Sequence, residues 1–152
     1  MDDFEIKLEI PADQDGFVLF QCPLCGEFFK LRVDECQAED VYENWCPSCG
    51  LKSDNYFTEE AIELARNMGA NILNDMIFNE LKKLERQHSR GALTVKVSKQ
   101  PGKEDETPLV AKIDALEEQH YKCCNRSAKI KPGVKMCGSY CPYCGVSYDG
   151  NE

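Results

Sequence analysis

Apolar and polar positions alternate at the start of the chain. Phe4, Ile6, Leu8 and Ile10 interleave with Glu5, Lys7 and Glu9, a two-residue period that predicts a strand. Pro11 ends it, and Asp13-Gln14-Asp15-Gly16 reads as a turn. Phe17 to Phe20 predicts a second strand, Glu27 to Val33 its return, and Val41 to Trp45 a further approach. After Phe57 the period changes. Ala61, Ile62, Ala65, Met68, Ile72, Met76, Ile77, Leu81 and Leu84 recur at steps of three and four, which predicts an amphipathic helix over 58–88. Thr58 is placed to cap it, Glu59, Glu60 and Glu63 suit its first turns, and Lys82, Lys83 and Arg86 suit its last. Gly91 is the stop signal. Such a helix runs roughly 45 Å, so its apolar face calls for more cover than small flanking modules supply. Leu93 to Ser98 alternates and predicts a strand, whereas Gln100 to Pro108 is polar and reads as an exposed linker or hairpin loop. Leu109 to Leu116 fits a strand or a short helix equally well. The expected architecture is small α+β, with β modules over 1–57 and 91–152 on either side of a helix over 58–90.

Cysteine spacing gives these modules their chemistry. Cys22-Pro23-Leu24-Cys25-Gly26, Cys46-Pro47-Ser48-Cys49-Gly50 and Cys141-Pro142-Tyr143-Cys144-Gly145 are three copies of one pattern, and no other repeat is visible. A Cys-x-x-Cys step lets two thiolates reach one metal from a tight turn. The glycine after it permits a backbone conformation other residues resist. Four thiolates around a tetrahedral Zn²⁺ make a closed, structural site. Cys22, Cys25, Cys46 and Cys49 supply one complete set, with the second pair starting 21 residues after Cys25. The acidic segment Asp34 to Glu43 holds the intervening residues.

A second zinc is expected on Cys141 and Cys144, completed from Cys123, Cys124 and Cys137. Neighbouring strand residues face opposite ways, so one of Cys123 and Cys124 is expected to ligate. Cys124 with Cys137 is the preferred choice, and Cys123 the substitute. His120 is a further candidate ligand but reads more readily as a surface or packing residue, and Lys131-Pro132-Gly133 reads as a turn between strands. Cys36, among Asp34, Glu35, Glu39 and Asp40, is expected to have a raised pKa and little reactivity.

Charge divides the chain further. The net charge is −9; residues 1–57 hold 4 Lys/Arg against 13 Asp/Glu, whereas residues 91–152 hold 9 against 8. Lys122, Arg126, Lys129, Lys131 and Lys135 lie in a stretch free of acids between Glu118 and Asp149, with Tyr121, Tyr140 and Tyr143 nearby as candidate stacking surfaces. Only this part is expected to attract nucleic acid. The acidic N-terminus has no apolar leader and no run is long enough to span a membrane, so a cytoplasmic location with reduced thiols is expected.

The knuckles resemble those of the zinc-ribbon superfamily, closely over 16–51 and loosely over 119–148. That resemblance implies two ribbons flanking the helix; its members occur in transcription factors, RNA polymerase subunits and ribosomal proteins. Catalysis is not expected. His88 and His120 are the only histidines, and no phosphate loop or nucleophile elbow is present. The function expected is that of an interaction or adaptor module holding two Zn²⁺. It would dock on a protein partner, or dimerise, through the stripe Ile62, Ala65, Gly69, Ile72 and Met76. The alternative is nucleic-acid binding through the basic C-terminal ribbon. No small-molecule substrate is evident.

Overall fold

β1 (Phe17–Gln21) and β2 (Phe28–Arg32) form an antiparallel hairpin in which Phe20 faces Phe29 and Val18 faces Leu31. The computed structural model describes residues 5–87, 91, 96–97, 99–110 and 115–149. α1 (Val33–Cys36) follows β2, and α2 (Glu59–Gln87) is the long helix. A second hairpin joins β3 (Glu117–Tyr121) to β4 (Arg126–Ile130) and leads into α3 (Pro132–Cys137). β5 (Ser139–Tyr140) and β6 (Ser147–Tyr148) pair on their own. The fold is small α+β.

The hairpins join through their second strands, giving one sheet in the order β1-β2-β4-β3. At the junction Lys30 pairs with Lys129 and Leu31 with Ala128. This order reads the same from either edge. Each half runs hairpin, short helix, then a cysteine knuckle flanked by a bridge, Trp45 to Lys52 in the first and Tyr140 to Ser147 in the second. The repeat therefore extends beyond the knuckles. It is hidden in sequence because the first hairpin turns through six residues and the second through four, with α2 inserted between them.

Alternation sorts the sheet faces. Phe29, Leu31, Ala128, Ile130 and Tyr121 are buried on one face, in a core shared with Cys22, Cys46, Cys141, Tyr56, Tyr143 and Tyr148. On the other face two lysines stand directly opposite each other, which like charges resist. Asp13 resolves the conflict. Its Oδ2 lies 3.3 Å from Lys30 Nζ and 2.7 Å from Lys129 Nζ, and its Oδ1 accepts N–H bonds from Asp15 and Phe17. Burial opposes ionisation of this carboxyl, but the two lysines and two N–H donors outweigh it and hold the pKa well below the usual carboxylate range.

The chain has two compact units. One comprises Glu9–Ala61 and Leu109–Glu152, and so contains both halves of the sheet; the other comprises Met1–Leu8 and Ile62–Pro108. The β2–β4 pairing thus brings residues 9–57 and 109–152, parts of the two expected modules, into one body. In the other unit, Ile6 comes to 3.4 Å from where a Cβ on Gly69 would lie. The strand expected over Phe4 to Ile10 is not formed: residues 5–11 make no ladder, and Ala12 bridges β1 at Val18. Phe4 lies outside the described residues, as does most of the Leu93 to Ser98 strand.

α2 lies within the expected 58–88, whose last residue, His88, lies outside the described residues. The Thr58 Oγ1 accepts the Ala61 N–H at 3.2 Å, so Thr58 caps the helix. The Gln100 to Pro108 segment returns along α2. Asn71, 5 % exposed, accepts the Glu104 N–H at 2.7 Å and donates to the Glu104 carbonyl and the Glu106 carboxylate, and Asn67 donates to the Asp105 carbonyl. The expected turn at Lys131 to Gly133 instead opens α3, with Pro132 in the first turn, where its missing N–H costs nothing.

Candidate metal centres

The three knuckles fold alike. In each, the glycine N–H donates to the first cysteine's carbonyl, at 2.9 Å for Gly26 and Gly50 and 2.8 Å for Gly145. The first cysteine's own N–H donates to the residue after the glycine: Cys22 to Glu27, Cys46 to Leu51, Cys141 to Val146. The three glycines have φ of 77°, 72° and 78°, the left-handed region that favours glycine. The fourth turn differs. Lys122 to Asn125 closes the β3–β4 hairpin with Cys123 and Cys124 adjacent, and Asn125 takes the left-handed position at φ 52°.

Two groups of four thiols result: Cys22, Cys25, Cys46 and Cys49, and Cys123, Cys124, Cys141 and Cys144. Within each, all sulfurs lie within 4.8 Å of one another. Cys22 is 3.8 Å from Cys49, Cys25 is 3.6 Å from Cys46, and Cys123 is 3.5 Å from Cys144, sulfur to sulfur. A zinc tetrahedron with bonds of about 2.3 Å has sulfur–sulfur edges of about 3.8 Å. A disulfide would need about 2.05 Å. The spacing therefore fits a tetrahedral thiophilic ion and not a disulfide.

Electrostatics agrees. Burial pushes the Cys46 and Cys141 thiols far above the ordinary range, and burial with the neighbouring Cys144 raises Cys124 to about 11. At Cys22, burial is outweighed by N–H groups of Cys25 and Leu24, which lower the pKa. Cys144 is lowered in the same way, chiefly by the Val146 N–H. Four clustered thiols resist joint ionisation; a divalent ion supplies the charge that would permit it.

The ligand choice at the second site is corrected. Cys123 and Cys124 both join the cluster, because they sit in a turn and not in a strand where neighbours must diverge. Cys137 ends α3, is exposed, and stays outside it. The His120 Nδ1 lies 3.2 Å from the Ser127 hydroxyl, also outside. Cys36 is half-buried with its thiol on the Val33 carbonyl at 3.4 Å. Its pKa is raised as expected, mainly by burial and then by Asp34 and Glu35.

The basic residues are largely engaged. Lys129 meets Asp13 and Asp15, at 2.7 and 2.8 Å; Arg126 meets Asp40 at 2.6 Å; Lys131 pairs with Glu27; and Lys135 lies 3.7 Å from Glu117. Lys122 is exposed in the turn before Cys123. Tyr121 and Tyr143 are buried and offer no stacking surface, and the Tyr140 ring lies on Gly50. Along α2, Ile62, Ala65, Gly69 and Ile72 are half-buried, whereas Leu73, Met76, Ile77, Leu81 and Leu84 are exposed by 38–52 %. No helix among the described residues is long and apolar enough to cross a membrane.

Two features were not read from sequence. The Trp45 indole and the Tyr140 ring each cover the glycine of the opposite half's knuckle, Gly145 and Gly50. Their position, directly before the first cysteine of knuckles otherwise alike, is the signal that would have found them. Comparison with family models, curated proteins and solved structures finds no match to this chain.

Proposed function

We propose that the protein is a non-catalytic, zinc-ribbon-type interaction module that holds two Zn²⁺ ions as structural elements and docks or self-associates through α2. The observation that carries this reading is the exposed apolar row Leu73, Met76, Ile77, Leu81 and Leu84, spaced at three and four residues on one helix. Such a row is what a partner helix or an apolar groove recognises. The cysteine clusters support the reading as scaffolding: each offers four thiols, and a metal held by all four would have no open coordination position for a substrate.

The pairing of Lys129, Arg126, Lys131 and Lys135 with acids supports a protein partner over nucleic acid, since phosphate contact would have to break those pairs. Sedimentation of the zinc-loaded chain and of an Ile77→Glu, Leu81→Glu variant tests the proposal. Concentration-dependent association that disappears in the variant is expected. A chain that stays monomeric throughout, and binds RNA or DNA in a salt-sensitive way, would replace this reading with the nucleic-acid one.

A further inference from the structure

We propose that the two metal sites are thermodynamically coupled, so that filling either one strengthens metal binding at the other. The inference rests on reading both cysteine clusters as metal sites. It comes from how their knuckles meet. The Trp45 N–H donates to the Pro142 carbonyl at 2.9 Å, and the Tyr140 N–H donates to the Pro47 carbonyl at 2.9 Å. Trp45 and Tyr140 each precede the first cysteine of a knuckle, and Pro47 and Pro142 each follow it. The contact is therefore reciprocal, with each knuckle giving the other the same bond.

Side chains repeat the exchange. A Cβ built on Gly145 would lie 2.8 Å from the Trp45 indole, and one built on Gly50 would lie 2.9 Å from the Tyr140 ring. Pro47, Pro142, Cys22, Cys46 and Cys141 are among the largest fully buried side chains, so the surface between the knuckles is core.

Each site needs its second knuckle in place: Cys46 and Cys49 for one, Cys141 and Cys144 for the other. A small thiol knuckle has little to order it apart from its metal. Metal at the first site fixes residues 45–50, which then present an ordered carbonyl, an N–H and an aromatic ring to residues 140–145. The second site binds into a surface already formed. Its metal no longer has to order that surface, which is positive coupling. Linkage makes the effect reciprocal, and coupling of this kind is typically worth about 5- to 150-fold in affinity.

The experiment is a Zn²⁺ titration of the reduced, metal-free chain followed by native mass spectrometry, with affinities from competition against a chromophoric chelator. At half saturation, metal-free and two-metal chains are expected to dominate, with one-metal chains well below the binomial share. One-metal chains at or above that share would overturn the proposal.

Cys25→Ser and Cys123→Ser each remove one exposed ligand from one site. Each is expected to weaken the remaining site by about fivefold or more, and by the same factor in both directions. A remaining site that keeps its affinity in either variant would also overturn coupling, while leaving two independent metal sites intact. If a variant fails to fold, the wild-type species distribution still decides. A wild-type chain that binds no metal would sink this inference and the metal reading together.

Discussion

Glycine separates two costs that the knuckles otherwise combine. Gly26 and Gly145 share a left-handed φ, 77° and 78°. A Cβ on Gly26 would meet nothing within 4 Å, whereas one on Gly145 would lie 2.8 Å from the Trp45 indole. Gly26→Ala should therefore cost only the backbone strain, roughly 1–2 kcal/mol. Gly145→Ala should cost at least about 1 kcal/mol more, because the indole must leave a packed surface. Denaturant unfolding of the zinc-loaded variants measures both; equal losses would mean that the Trp45 contact carries no stability. The knuckle glycines were legible in sequence, as was the entire first thiol cluster, since two complete Cys-Pro-x-Cys-Gly motifs admit one reading. The second cluster was legible only in part. Nothing in the pair Cys123-Cys124 says whether it lies in a strand or a turn, and that single choice decides whether Cys137 is needed.

At the scale of elements, α2 was the easiest to read and its surroundings the hardest. Its period, cap and terminal charges all lie within its own residues. What covers it depends on distant ones: Asn71 is a polar residue on an amphipathic helix, and nothing in its own segment marks it for burial. In the structure its amide does the work of a main-chain partner, holding the Glu104 N–H at 2.7 Å and the Glu104 carbonyl at 3.0 Å. Asn71→Ala should release residues 104–106 from the helix and cost about 1–2 kcal/mol. The Glu104 amide should then exchange its hydrogen markedly faster, while amides in the middle of α2 keep their protection. Unchanged exchange at Glu104 would show that the segment is held by other contacts. The same dependence on distant residues explains the N-terminal strand. Alternation from Phe4 to Ile10 is real, but a strand needs a ladder, and residues 5–11 find none.

The whole molecule distributes its candidate metal ligands unevenly. All eight clustered cysteines lie in the unit formed by Glu9–Ala61 and Leu109–Glu152, and none lies in the unit that contains α2 from Ile62 onward. In the first unit Cys22, Cys46 and Cys141 are fully buried in the core. On the proposed reading, a metal at each cluster would draw two chain segments together, and a core this small would gain much of its stability from that. The second unit contains none of these cysteines, and hydrogen bonds from Asn67 and Asn71 tie residues 104–106 to α2. Chelation should therefore act selectively. Hydrogen exchange after zinc removal is expected to rise to the fully open rate at Phe29, Leu31 and Ala128, at the centre of the sheet. Amides between Ala65 and Ile77 should retain part of their protection. Uniform loss across both sets would mean that α2 depends on the metal-bearing unit for its helical state. Protection retained at Leu31 and Ala128 would mean that the β2–β4 junction, with Asp13 neutralising Lys30 and Lys129, holds the sheet without metal.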